Sequence, residues 1–372
     1  MLIFILTFIP KQHLVVISQV IPYVIHIYYE CKIIYTGVTP LSRTSLREIV
    51  LDLTDKCPAR CIYCSAEASS YNSRFLSVAK VFEILNDASR LGVEIVSFSG
   101  GEPLLHPDLI SIITHAKKLG IKDVRLFTSG LIFNKDGITS PDESFFKKLK
   151  IAGLDKIFFN LQGATENIHD SITQVNGAFP HVIRSIEMSV RNGLYVGVQF
   201  VPMKLNWRTF PELAHLCANL GVDEVGVLRF VPHGRGSVNR EILELDVNEY
   251  RELLRLLNDL CGRYNRPRIR TGCPWNEIRS INPEWPIKYC SAGLSMCHIL
   301  VDGSVSPCSA SKSVKELHAG KIFNERLADI WKKGFKKFEE MKKRYGSSTE
   351  CTMQMYYTIE NVKFYCEKQA VI

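Results

Sequence analysis

Glu48-Ile49-Val50-Leu51-Asp52-Leu53-Thr54-Asp55-Lys56-Cys57-Pro58-Ala59-Arg60-Cys61-Ile62-Tyr63-Cys64 is the stretch on which the fold turns. Glu48 to Leu53 is rich in β-branched and aliphatic residues and predicts a strand. Directly after it, Cys57, Cys61 and Cys64 stand in a C-x3-C-x2-C arrangement on one loop, where three thiolates can be aimed at one point. Soft thiolates suit zinc or an iron-sulfur cluster. A structural zinc site needs four closed ligands, usually from paired C-x2-C motifs. Three thiolates on a four-iron cluster leave one iron open to a small molecule, as an iron-based catalyst requires. Zinc with a distant fourth ligand, or ordinary buried cysteines, are the plainer readings of the same residues.

Outward from this loop the pattern repeats: a short apolar run, a polar or glycine turn, then an amphipathic helix. Further strands are expected at Glu94 to Phe98, Val124 to Thr128, Lys156 to Leu161, Tyr195 to Val201 and Glu224 to Val231. Between them Val78, Val81, Phe82, Leu85 and Ala88 have the spacing of one helix face, as do Ile183, Ile186 and Val190. Parallel strands joined by helices form a doubly wound sheet or a barrel, and either one places ligands at the carboxyl ends of the strands. After the sixth strand, Asp246 and Glu249 resemble the capping pair of a helix running to Cys261. No further βα unit is visible beyond it, and proline and glycine become frequent from Pro267 to Pro286.

The chain has 372 residues, twelve of them cysteine, and a net charge of +8. Clustered cysteines in a long α/β sequence hold metal more often than they form a disulfide scaffold. The excess of lysine between Lys312 and Arg344 reads as a solvated helix face, and no aromatic-interleaved basic motif for nucleic acid accompanies it. The apolar extension 1–44 lacks the positive n-region and cleavage site of a secretory signal. Its run from Leu14 to Tyr29 is short for a spanning helix and is interrupted by Gln19, Pro22 and His26. A cytoplasmic protein, not a membrane protein, is expected.

The cysteine triplet, with an aromatic residue before its last cysteine, resembles the cluster motif of the radical S-adenosylmethionine superfamily. The resemblance implies a partial (β/α)6 TIM-type barrel in which Cys57, Cys61 and Cys64 bind a 4Fe-4S cluster, S-adenosylmethionine chelates the open iron, and Tyr63 lies near the adenine. It implies that Gly100-Gly101-Glu102-Pro103, after the second strand, holds the methionine amino group. Phe127-Thr128-Ser129-Gly130 is similar to the family's Thr-Asn-Gly turn, with Ser129 where Asn is common. Asn160-Leu161-Gln162-Gly163 stands where a segment contacts ribose or substrate, so Asn160 and Gln162 are candidates, as is Gln199. Arg235, in a glycine-rich turn, can clamp a carboxylate or be a solvated exit residue.

Toward the C-terminus, Asp302-Gly303 is a strong hairpin signal. A two-residue turn there sets Val301 against Ser304 and Cys297 against Cys308. Cys290, Gly303 and Cys308, with Leu327-Ala328-Asp329-Ile330-Trp331 beyond, resemble the auxiliary-cluster domains called SPASM and twitch, though Gln354 stands where the partner of Cys351 in a C-x2-C pair belongs. The resemblance implies one auxiliary cluster on Cys290, Cys308 and Cys351, with Cys297, Cys366, Cys273 or an open iron completing it; buried packing cysteines are the alternative. Cys31, Cys217 and Cys261 read as packing. The expected organisation is an extension 1–44, a radical core 45–240, a bridge 241–285 and a small SPASM-like hairpin-plus-helix domain 286–372. The implied activity is reductive cleavage of S-adenosylmethionine to a 5'-deoxyadenosyl radical and hydrogen abstraction from a peptide or protein, or alternatively from a tetrapyrrole or other cofactor precursor. Its electron donor would be a ferredoxin or flavodoxin. A non-catalytic iron-sulfur or zinc-binding protein is the rival of another class.

Overall fold

The structure of the chain, a computed structural model, describes residues 45–135, 137–345 and 350–358. The expectations for residues 1–44, for Cys31 and for Cys366 lie outside the described residues.

Strands and helices alternate from the start. They are β1 (Glu48–Thr54), α1 (Val78–Arg90), β2 (Ile95–Gly100), α2 (Leu109–Lys118), β3 (Asp123–Thr128), the small pair β4 (Ile132–Asn134) and β5 (Gly137–Thr139), and α3 (Glu143–Ile151). Then come β6 (Lys156–Asn160), α4 (Glu166–Thr173), α5 (Ala178–Arg191), β7 (Tyr195–Phe200), α6 (Phe210–Asn219) and β8 (Glu224–Val227). The strands β1-β2-β3-β6-β7-β8 lie side by side and parallel, which is the expected run of a partial barrel.

Side chains alternate across this sheet because successive Cβ atoms point to opposite faces. Ile49, Leu51, Val124, Leu126, Ile157, Phe159, Val196 and Val198 are fully buried in the main core with Val81, Leu85 and Ala88 of α1. Each such side chain contributes about 1.5–3 kcal/mol by leaving water. The alternate residues Glu48, Val50, Arg125, Phe127, Phe158, Asn160 and Gln199 line an interior cavity. Phe158 lies so close over Gly197 that a Cβ there would meet its ring at 2.2 Å, and it stacks on Phe127 at 4.9 Å. The amino ends of the strands carry a charge lattice: Arg125 and Lys156 on Asp123 at 2.7 and 2.8 Å, and Arg268 and Arg270 on Glu224 at 2.9 and 2.5 Å.

After two short helices, α7 (Arg235–Val238) and α8 (Arg240–Leu243), the expected capping box of Asp246 and Glu249 opens α9 (Val247–Leu260). This helix leads to β9 (Arg268–Thr271), parallel to β8. A further βα unit therefore exists, contrary to the reading that none follows the sixth strand. Arg268-Ile269-Arg270-Thr271 has one aliphatic residue among two arginines, too little apolar pattern to read as a strand. It is one because α9 returns the chain to the edge of β8 and Glu224 receives both arginines.

The hairpin of β10 (Met296–Ile299) and β11 (Ser304–Ser306), with β12 (Gly320–Lys321), joins the opposite edge. β10 runs parallel to β1, with Val50 beside His298, so one ten-stranded sheet runs β12-β11-β10-β1-β2-β3-β6-β7-β8-β9. The helices α10 (Leu327–Lys333) and α11 (Lys336–Tyr345) and a helical segment at 352–358 complete the described chain. No helix among the described residues is long and apolar enough to cross a membrane.

Candidate functional site

Cys57, Cys61 and Cys64 are free thiols on the loop after β1, and all three line the cavity. The loop is held from behind. Arg60 and Ile62 donate backbone N–H groups to Thr173 and Ile172 at the end of α4, both at 3.0 Å. Arg235 donates from Nε to the Cys61 carbonyl and from a terminal nitrogen to the Ala68 carbonyl, each at 2.8 Å, and Asn239 donates to the Ile62 carbonyl at 3.0 Å. Arg235, offered by the sequence as a carboxylate clamp or a solvated exit residue, staples the cysteine loop, because the helical turn after Gly234 brings the guanidinium against that backbone. Burial raises the Cys57 thiol, with Glu102 and Cys61 adding to the effect, and burial takes Cys61 to about 12. Cys57 and Cys61 therefore resist ionising alone, whereas a bound cationic metal core deprotonates its thiol ligands. The donor set fits an iron-sulfur cluster.

The glycines of the second loop are required by close approach. Gly100 has φ of +122°, and a Cβ on it would meet the Thr54 carbonyl oxygen at 2.3 Å; one on Gly101 would meet that of Lys56 at 2.3 Å. Glu102 is fully buried just beyond. Its Oε1 accepts from Thr128 Oγ1 at 2.6 Å and Leu104 N at 3.0 Å, and its Oε2 from Ser129 N at 2.6 Å and Ser129 Oγ at 2.5 Å. Glu102 thereby fixes the turn after β3, while Gly100, Gly101 and Ser129 line the cavity and Pro103 begins the short helical turn behind it. Tyr63 donates its hydroxyl to Asn160 Oδ1 at 2.5 Å, which also accepts from Gln162 Nε2 at 2.6 Å. Gln162 is buried and braces Val201 and Gln199, so it supports the wall and does not line it. Gln199 lies beside Asn160 in register, is 6% exposed and leaves its Nε2 without a protein partner.

The second cysteine group differs from the expected one in register. His298 pairs with Ser306, and Leu300 N donates to the Ser304 carbonyl at 2.9 Å, so the turn holds Val301, Asp302 and Gly303, with Gly303 at φ +80°. This is a three-residue loop with glycine in the left-handed position. The extra residue moves the Cys297 position off Cys308 and turns its thiol into the core, where burial raises it to about 12. Cys217 is likewise fully buried in the core, while Cys261 is half-buried with its thiol 3.7 Å from the Ile269 carbonyl. The strand β9 instead delivers Cys273, two residues past Thr271, to the cavity wall with Cys290, Cys308 and Cys351. The neighbouring Cys351 thiol and, further, the Arg229 charge draw the Cys273 thiol down, while that of Cys351 is raised. Burial raises Cys308 to about 12, with the charges of Cys290 and Cys351 adding to it. Among the described residues no three His, Cys, Asp or Glu groups are drawn together to hold a single metal ion. A cluster's thiolates bind separate irons and are more widely spread. Only the β9 assignment could have singled out Cys273, by placing it at the carboxyl end of a barrel strand.

Sequence reasoning also missed a polar chain that reaches the cavity wall through His298, Ser309 and Lys312. On β1, Asp52 Oδ1 lies 2.8 Å from His298 Nε2, Asp52 Oδ2 takes Lys312 at 3.0 Å, and His298 Nδ1 meets Ser309 Oγ at 2.8 Å. Burial opposes ionisation of Asp52, but His298 and Lys312 outweigh it and hold the carboxyl well below the usual range. The cavity joining both thiol groups has a volume of about 630 Å³, within the range of small-molecule and cofactor sites. Four of its cations face carboxylates, Arg125 to Asp123, Arg270 to Glu224, Lys312 to Asp52 and Arg229 to Glu277, while Lys288 donates to Thr271 and Arg235 to the carbonyls of the cysteine loop.

Residues 51–217 match the model of the Radical SAM superfamily, and residues 290–353 match the iron-sulfur cluster-binding domain SPASM. A curated protein of Saccharolobus islandicus (strain M.14.25 / Kamchatka #1), "Probable GTP 3',8-cyclase", is 28% identical over 266 residues, covering 71% of this chain and 82% of that one. "PqqA peptide cyclase" of Gluconobacter oxydans (strain 621H) is 27% identical over 289 residues, 76% of this chain and 75% of its own. The crystal structure of Streptococcus suis SuiB bound to precursor peptide SuiA shares the fold with a TM-score of 0.62 at 19% identity; 78% of this chain is covered, and it spans 65% of the length of SuiB.

Proposed function

Because this chain belongs to the radical S-adenosylmethionine superfamily and carries a SPASM domain, we propose that it modifies a peptide or protein substrate bound between its two cysteine groups. Cys57, Cys61 and Cys64 hold the 4Fe-4S cluster that takes S-adenosylmethionine, and Cys273, Cys290, Cys308 and Cys351 hold an auxiliary one. When bound and reduced by a ferredoxin- or flavodoxin-type donor in the cytoplasm, the first cluster would supply, with S-adenosylmethionine, a 5'-deoxyadenosyl radical for hydrogen abstraction. The protein's own part is orientation and exclusion. Arg235 and Asn239 fix the first cysteine loop, and Gly100 and Gly101 let backbone carbonyls approach the amino acid part of S-adenosylmethionine. Tyr63, Ser129 and Asn160 shape the adenosine side, with Glu102 and Pro103 setting their loops. The enclosing sheet keeps water from the radical.

The observation that carries the peptide reading is the pairing of the cavity's cations. A nucleoside triphosphate needs uncommitted positive charge, and here Arg125, Arg270, Lys312 and Arg229 already face carboxylates, while Lys288 is held by Thr271 and Arg235 by the cysteine loop. A neutral peptide segment suits such a wall, and the names of PqqA peptide cyclase and of SuiB with its precursor peptide agree with it. The second reading, a small cofactor precursor, is favoured by the name GTP 3',8-cyclase. Deuterium transfer separates the two. Reconstituted protein with dithionite and S-adenosylmethionine is given either deuterated GTP or a deuterated peptide fraction from the source organism. Deuterium in 5'-deoxyadenosine from the peptides alone is the expected result; transfer from GTP alone would establish the second reading.

A further inference from the structure

Arg229, two residues past β8, is a nearly buried cation that its one, half-exposed carboxylate balances only in part. Its side chain is 8% exposed. It donates to the Pro274 carbonyl from Nε and a terminal nitrogen at 3.1 and 2.7 Å, and to the Tyr250 hydroxyl at 2.8 Å. The guanidinium lies 4.5 Å from the centre of the Trp275 ring, which stacks on Tyr250. Its one carboxylate, Glu277 at 2.7 Å, has a side chain 46% exposed and is softened by solvent. A buried charge is costly unless paired with an opposite charge of similar burial. On the cavity side Arg229 shares the wall with Cys273, Cys290, Cys308 and Cys351, and the Pro274 carbonyl that it grips belongs to the residue next to Cys273. A cluster held by four thiolates is anionic in both of its ordinary oxidation states, and more so when reduced.

We infer that Arg229 is the charge partner of the second cysteine group: its fork on Pro274 positions the Cys273 turn, and its charge raises the reduction potential of the cluster held there. This rests on the reading that Cys273, Cys290, Cys308 and Cys351 bind a cluster. Cluster potentials respond to net charge, hydrogen bonding and burial, and a cation held within this wall favours the reduced form. Arg229 is a positioning residue, remote from the reacting atoms.

The test is a redox titration followed by electron paramagnetic resonance on the full reconstituted chain, in wild type, Arg229→Gln and Arg229→Lys. The cluster whose signal changes on adding S-adenosylmethionine is the first, and the unresponsive one is the second. At fixed applied potential, Arg229→Gln is expected to lower the reduced-to-oxidised ratio of the second cluster about tenfold, equivalent to about 59 mV for one electron. The first cluster is expected to keep its potential, and Arg229→Lys, which keeps the charge without the planar fork, to restore most of the shift. An unmoved second potential in Arg229→Gln, an equal fall in both clusters, or loss of the second cluster from both variants would overturn the inference. A wild-type protein with no second cluster would overturn the underlying ligand reading itself, a result that iron and sulfide analysis distinguishes.

Discussion

Cys273 and Cys297 are both thiols in the C-terminal third, and what separates them is which side of the sheet each occupies. Cys297 is fully buried among core residues, while Cys273 shares the cavity wall with three other cysteines. Cys273→Ala is therefore expected to bring iron down to about four per chain, with 5'-deoxyadenosine formation retained in the absence of substrate. Cys297→Ala is expected to keep its iron and to lose about 1 kcal/mol of stability through the small cavity it leaves. Iron analysis and denaturant unfolding on the same samples check both. At the first site, alanine at Cys57, Cys61 or Cys64 is expected to abolish 5'-deoxyadenosine formation, and retained cleavage in any of them would remove that residue from the ligand set.

Among the elements, α4 bears most directly on the first cysteine loop, whose backbone hangs on Thr173 and Ile172 at its end. Within α4, His169 is 1% exposed, and its Nδ1 accepts from Gln162 N at 3.2 Å, which places the ring proton on Nε2. Burial lowers its pKa to about 4. The unfolded histidine binds a proton near pH 6.5, so between about pH 6.5 and 4 the unfolded chain holds more protons than the folded one. Stability is fully present above that window and falls as pH drops through it, by about 3 kcal/mol for this group. His169→Gln, which does not titrate, is expected to flatten this acid limb in urea midpoints measured against pH. A slope unchanged by the substitution would place the proton uptake elsewhere.

At the scale of the molecule, the strands from β10 to β12 form an edge of the same sheet. This edge is tied to β1 by the strand pairing and by Asp52 with His298 and Lys312. Asp52→Asn would leave the Lys312 ammonium, on a side chain 12% exposed, without its carboxylate. Breaking such a buried pair costs about 3–5 kcal/mol. One thermal transition, displaced downward as a whole, is expected by calorimetry, whereas two separated transitions would mean that the C-terminal part melts by itself. The chain ended at residue 285 is expected to lose cooperative unfolding, because it bares the β1 edge and the core side chains that β10 and α10 cover; circular dichroism on that shortened chain tests this.

What the sequence by itself determined is whatever depends on neighbours along the chain. The cysteine loop follows a strand, the βα alternation continues from Glu48 to Val227, Asp246 and Glu249 cap a helix, and the chain turns at Gly303, because periodicity, capping and turn chemistry act over a few residues. The tertiary structure decided what depends on register and strand order. One extra residue in the hairpin turn sent Cys297 to the core, and a parallel seat beside β8 made a strand of Arg268–Thr271 and brought Cys273 to Cys351. A turn at Gly234 gave Arg235 to the cysteine loop, and the pairing of β10 with β1 joined Asp52 to His298 across 246 residues. Contacts so distant in sequence leave no local pattern to read, since either partner alone is an ordinary strand or loop residue until the sheet sets them side by side.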